Sequence, residues 1–201
     1  MYGIYEGGSV IAEFVAPFAI RSNHPVFTSD TFSLSRYISR RTAQRWEIDT
    51  HLSPLSANAQ DLFVHLVTKG YSTSFTILTP QNYGVILAKT SNSTPSASGS
   101  LGTSTVNIVQ GSNNGFIPKG TFIKFSNHAK IYMTTTSLND SPVSSTLSIY
   151  PPLRTAVSST SFVTNNVQMT CFYDLETLTG MSYSDGILQD VGQVRIVEAI
   201  W

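Results

Sequence analysis

The chain has little charge. Lysine, arginine, aspartate and glutamate make up 12% of its 201 residues and cancel to a formal net charge of zero, where ordinary soluble domains carry roughly 25% charged residues. With no net field to attract a polyanion, nucleic acid is not an expected partner. A surface without net charge instead favours association with neighbouring protein.

Cysteine is almost absent. Cys171 stands alone, which excludes an intrachain disulfide and a thiolate zinc cluster. It sits in the apolar run VQMTCFYDL and is expected to be a small buried hydrophobe. No run approaches the ~20 apolar residues of a membrane-spanning helix. The opening MYGIYEGGSVIAEFVAPF has no basic segment and is interrupted by Glu6 and Glu13, so no signal peptide is expected.

The signatures of catalysis are missing as well. There is no G-x-S-x-G elbow, no phosphate-binding loop and no G-x-G-x-x-G cradle. SGSLG at 98–102 lies in a run of small residues, where it reads as flexible chain. The histidines, His24, His51, His65 and His128, fall in no metal-ligand spacing. His65 reads as a helix-face residue beside an apolar stripe. Asp49, Asp61, Asp140, Asp174, Glu176, Asp185 and Asp190 are scattered without a marked pair. The expectation is a protein that is not an enzyme, with no catalytic residue, no metal and no cofactor.

What is present is strand pattern. Hydrophobic residues reach 41%, enough to build a core, and serine, threonine and asparagine fill the gaps between them. Ser9 to Val15 reads as a strand stopped by Pro17. Thr31 to Ile38 alternates, with Phe32, Leu34 and Ile38 on one face. Trp46, Ile48 and Leu52 repeat the same period, and the two runs are expected to pair around SRRTAQR as an exposed tip.

Leu55, Ala59, Leu62, Phe63, Leu66 and Val67 are spaced for one face of a helix that ends at Lys69-Gly70. TSFTILT and GVILAKT return to strand pattern. Residues 119–157 read as successive strands, with a bend at Ser126-Asn127, a turn at Asp140-Ser141-Pro142, and a stop at Pro151-Pro152, which offer no amide proton. VQMTCFYDL and GQVRIVEAIW are later strands, and the terminal Trp201 is expected to pack into the core or under a neighbour. The expected fold is mainly β with one α-helix, an α+β chain of the β-sandwich or split-barrel type. An N-terminal block at 1–90 carries the helix near 54–69. A Ser/Thr-rich linker or loop occupies 91–104, and a second β block spans 105–201.

One basic cluster stands out. Arg36, Arg40, Arg41 and Arg45 lie within ten residues, and Arg154 follows the stiff Pro151-Pro152-Leu153. Arginine is enriched at protein interfaces, so these residues are the candidate subunit interface. The alternatives are a carbonyl cap at a strand end for Arg154, which ranks first for that residue, and a solvated hairpin tip for the cluster. Nucleic-acid binding by the same patch ranks lower, because no aromatic platform interleaves it.

Gly120, Phe122, Ile123, Phe125, Tyr132, Leu147, Ile149, Pro151, Leu153, Arg154 and Val157 form a pattern. It runs from a glycine-led strand through a tight turn and a tyrosine-bearing strand to a final strand that exits through proline and arginine. Together with the Trp46 strand, the helix to Lys69-Gly70 and Ser74-Phe75, it resembles the tail and baseplate proteins of tailed bacteriophages, in the distal-tail group that rings the hub. That group often has an acidic residue after the glycine, where this chain has Thr121.

The resemblance implies a ring subunit of a virion tail or baseplate, assembled in a host cytoplasm. It would be a homo-oligomer that docks other tail proteins, with no catalysis. The alternative is a non-catalytic binding module for carbohydrate or a host surface, which the nine tyrosines and two tryptophans could serve.

Overall fold

The computed structural model describes residues 2–40, 43–54, 59–69, 73–82, 95–109, 116–138, 145–174, 176, 182–185, 187–190 and 192–200. The described residues are mainly β with one helix. The first strands are β1 (Gly3–Glu6), β2 (Ser9–Asn23), β3 (Val26–Asp30), β4 (Arg36–Arg40) and β5 (Arg45–Pro54). The helix α1 (Ala59–Lys69) and β6 (Phe75–Leu78) follow. Next come β7 (Ser96–Gly99), β8 (Thr105–Val109), β9 (Phe122–Phe125), β10 (Ile131–Thr134), β11 (Ser145–Tyr150) and β12 (Val157–Val163). The last are β13 (Gln168–Tyr173), β14 (Ser182–Ser184), β15 (Ile187–Asp190) and β16 (Gln193–Glu198).

These strands close two barrels of six. The first runs β1-β2-β5-β16-β13-β6 and the second β10-β11-β8-β7-β12-β9. Strands from both ends of the chain therefore share one barrel, and residues 96–163 build the other between β6 and β13. The division expected at 91–104 does not follow the sheets: β13 and β16 belong with the N-terminal strands. Closure explains why, since a barrel leaves no unpaired edge only when its last strands return to its first.

Within each strand the alternation decides which side chains face inward. β13 buries Met169, Cys171 and Tyr173 and turns Gln168, Thr170 and Phe172 outward. β8 does the same with Val106 and Ile108. Fully burying one such aliphatic or aromatic side chain stabilises a fold by ~1.5–3 kcal/mol. Phe125, Tyr132 and Phe162 fill the second barrel. Ile4, Phe14, Ile48 and Ile77 fill the first, where Leu62 and Leu66 of α1 join them.

The β9–β10 hairpin bends at Ser126-Asn127 as the sequence indicates, with Ile131 opposite Lys124, and Leu147 and Ile149 face inward. Thr121 is buried, and its hydroxyl donates to the Pro118 carbonyl at 2.7 Å, a bond that an ionised carboxylate could not make.

Several expectations are corrected. β4 pairs with β3, not with the Trp46 strand, and β5 lies between β2 and β16. β5 buries Trp46, Glu47, Ile48 and Thr50 in succession, so it needs cover that an exposed β4 could not supply. β2 does not stop at Pro17 but runs to Asn23, with its register shifting between Val15 and Ala19. A bulge is where a sheet tolerates proline.

The segment expected as a linker contains β7, paired to β8 and β12. Its small residues permit close packing: a Cβ on Gly99 would lie 2.8 Å from Leu153 Cδ1. On α1, Phe63 and Val67 are exposed whereas His65 is buried at 2%, so the inward face is Leu62, His65 and Leu66. Leu55, Gly70, GVILAKT, the 140–142 turn and Trp201 lie outside the described residues.

Candidate interaction surface

The β3–β4 pair forms a sheet of its own that projects from the end of the β2–β5 ribbon, where Asn23 opposes Arg45. Register places Phe27 opposite Ser39 and Ser29 opposite Tyr37, and on the other face Thr28 opposite Ile38 and Asp30 opposite Arg36. Both faces therefore carry large apolar side chains, and all are open to solvent, with Phe27 at 60% and Tyr37 at 71% exposure. An isolated two-stranded hairpin is marginally stable in water. This one also leaves apolar groups exposed on both of its faces.

Its tip makes the point more sharply. The Leu34 amide donates to the Thr31 carbonyl at 2.9 Å and the Thr31 amide to Ser35 O at 3.0 Å, closing a tight turn. Leu34 adopts φ of 60°, a left-handed backbone that suits glycine or asparagine and strains a bulky residue. Phe32 is 112% exposed and Leu34 88%. The turn thus combines an apolar residue in a strained backbone with near-complete exposure of its side chain.

The expected arginines are distributed around this arm. Arg36 begins β4 and its Nε lies 3.1 Å from Asp30 Oδ1, both side chains exposed. Arg40 ends β4, opposite Val26. Arg41 lies outside the described residues. Arg45 is at the base of the arm, held to Glu47 at 2.9 Å, so it is part of the barrel wall and not of an exposed tip.

Glu47 also receives Arg21 and Asn23. Burial works against its carboxylate, but the hydrogen bonds from Asn23, Arg21 and Arg45 outweigh it and hold the group below the usual glutamate range. Arg154 lies apart on the second barrel, in a cleft of about 480 Å³ with Gln44, Leu101, Lys130 and Pro151. Its amide donates to the Tyr132 hydroxyl at 3.1 Å, and its guanidinium makes no ion pair among the described residues. The structure thus brings Arg36 and Arg40 together on the arm, sets Arg45 at its root and places Arg154 elsewhere.

Sequence reasoning missed the junction of the two barrels. Trp46 of β5 packs edge-on against Phe122 at 5.2 Å between centroids, and its indole Nε1 donates to Ile131 O at 3.3 Å. Beside it, Lys130 Nζ donates to Glu198 Oε2 and, at 2.6 Å, to Gln44 Oε1. Glu198 also accepts the Trp46 amide at 3.1 Å and the Ile131 amide at 3.0 Å. Burial lowers the Lys130 ammonium pKa, with Glu198 opposing that shift. The signal in the sequence was a lone glutamate inside the apolar run VRIVEAI.

His24, at the root of the arm, hydrogen-bonds the Tyr150 hydroxyl of the second barrel, which also lies 2.9 Å from Ser22 Oγ. His128 shares hydrogen bonds with Asn127 at 2.6 Å and Tyr132 at 2.9 Å, a network that ties the turn to β10. Among the described residues no group of histidine, cysteine and carboxylate side chains could hold a metal ion, and no helix is long and apolar enough to cross a membrane. Compared with protein-family models and with curated proteins, the sequence matches none.

Proposed function

We propose that this protein is a structural subunit that assembles with copies of itself into a ring, with the β3–β4 hairpin as its assembly arm. The observation that carries this reading is the tip: Phe32 and Leu34 stand in water on a strained turn, above strands with apolar groups on both faces. Assembly would cover these groups, at ~25 cal/mol per Å² of apolar surface removed from water. Zero net charge favours the same outcome.

The resemblance to the distal-tail group of tailed bacteriophages supports placing the ring in a virion tail or baseplate, around a tube or hub and docked to other tail proteins. On that reading the barrels are of the split-barrel type, the role is assembly without catalysis, and Arg36 and Arg40 flank the contact.

Native mass spectrometry with negative-stain images of the purified chain tests the proposal. The expected result is a closed ring of identical subunits that falls to monomer in the Phe32→Ser/Leu34→Ser variant. A wild-type chain that stays monomeric at every concentration, and binds glycans, would favour the binding-module alternative.

A further inference from the structure

A closed ring is a head-to-tail assembly, so every subunit must present two different patches, one that inserts and one that receives. If the arm inserts, the receiving surface has to be found elsewhere on the same chain. The outer face of α1 has that character. Phe63, Val64 and Val67 are 41%, 55% and 54% exposed, and at 3.6 residues per turn they lie opposite the buried Leu62, His65 and Leu66. Among the exposed Gln60, Asp61 and Thr68, the three apolar side chains form a patch of the kind that marks a contact surface. Tyr183 of β14 extends the patch, its ring 6.4 Å from that of Phe63.

Position matters as much as chemistry. The arm leaves the first barrel at the Arg45 end of β5, while α1 follows the Pro54 end. β5 has ten residues, so the two patches are separated by about 30 Å along the strand. Each strand of the arm has five residues, a reach of roughly 17 Å. The arm is too short to cover its own helix. It suits the helix of a neighbour.

Charge agrees with this pairing. The arm carries arginines at 36 and 40 against one aspartate at 30. Asp61 on α1 and Asp185 beside β14 border the receiving patch, both exposed and neither ion-paired among the described residues.

We infer that the β3–β4 arm of one copy docks on the α1–β14 face of the next. This rests on the ring reading above and names the surface that receives the arm. The test is complementation. Phe32→Ser/Leu34→Ser breaks the inserting patch, and Val64→Lys/Val67→Lys breaks the receiving one. Each variant alone is expected to self-associate on the order of tenfold or more weakly than wild type. Mixed in equal amounts, they retain one intact arm and one intact face between them. The mixture is therefore expected to form a one-to-one dimer that does not grow.

A Val64→Lys/Val67→Lys protein that assembles like wild type would overturn this docking site while leaving the ring reading in place. So would two folded variants that stay monomeric when mixed. A wild-type chain that does not self-associate would overturn both readings. Circular dichroism and unfolding midpoints establish that each variant is folded. If the lysine pair unfolds, Phe63→Ser/Tyr183→Ser breaks the same face with less charge.

Discussion

Lys130 and Glu198 form a buried ion pair across the junction of the two barrels, with side-chain exposures of 3% and 0%. Their loads are unequal. Glu198 satisfies the Lys130 ammonium and the Trp46 and Ile131 amides, whereas Lys130 serves Glu198 and Gln44. Glu198→Leu, which strands a buried cation and two amides, is expected to cost about 5 kcal/mol, and Lys130→Met about 3 kcal/mol. Urea unfolding of the two variants checks the order. Equal losses would mean that the amide bonds contribute little.

Leu34 gives a prediction in which stability and assembly move in opposite directions. Asparagine tolerates a φ of 60° better than leucine does. Leu34→Asn is expected to raise monomer stability by about 1 kcal/mol and to weaken self-association. Thermal unfolding of dilute protein reads the first effect and sedimentation velocity the second. A gain in both would remove the contact role of this side chain.

His65 sets a pH dependence. Burial favours its neutral form, and the hydrogen bond and charge of Glu6, 2.8 Å away, only partly oppose this, so its pKa lies below 6.5. Its Nε2 is buried with no hydrogen-bond partner among the described residues. With the folded pKa lowered, the unfolded chain takes up a proton first as pH falls. This contribution to stability is full above pH 6.5 and declines below it, down to the folded pKa. His128 is shifted in the same direction, chiefly by burial. His65→Phe is expected to flatten the part of the stability–pH curve that belongs to α1. A curve unchanged in that variant would assign the whole dependence to other groups.

Cys171 is fully buried, and burial pushes its thiol pKa well up. A thiol reagent is expected to label it only as fast as the barrel opens, with the rate rising through the unfolding transition. Rapid labelling of the folded protein would contradict the closure of the first barrel around β13.

The strands were easier to read in the sequence than their partners. β9, β10 and β11 show in the spacing of Phe122, Phe125, Tyr132, Leu147 and Ile149, because one face of each is covered and the pattern is local. Barrel closure is not local: nothing near Met169 or Ile196 says that these residues share a core with Ile4. β3 escaped notice because both of its faces are exposed, which leaves no alternation between inside and outside. The same ambiguity made Phe32 and Leu34 read as one face of a strand when they lie in the turn between β3 and β4. The arginine cluster, read in the sequence as one group, is divided by the fold: Arg36 rides on the hairpin and Arg45 braces Glu47 at its root.

The most direct measurement of the central claim is hydrogen exchange of residues 26–40 at dilute and at concentrated protein. The hairpin amides are expected to exchange fast in the monomer and to become at least tenfold better protected as the chain assembles, while the barrel strands stay unchanged. Exchange in the hairpin that is indifferent to assembly would contradict its role as the assembly arm.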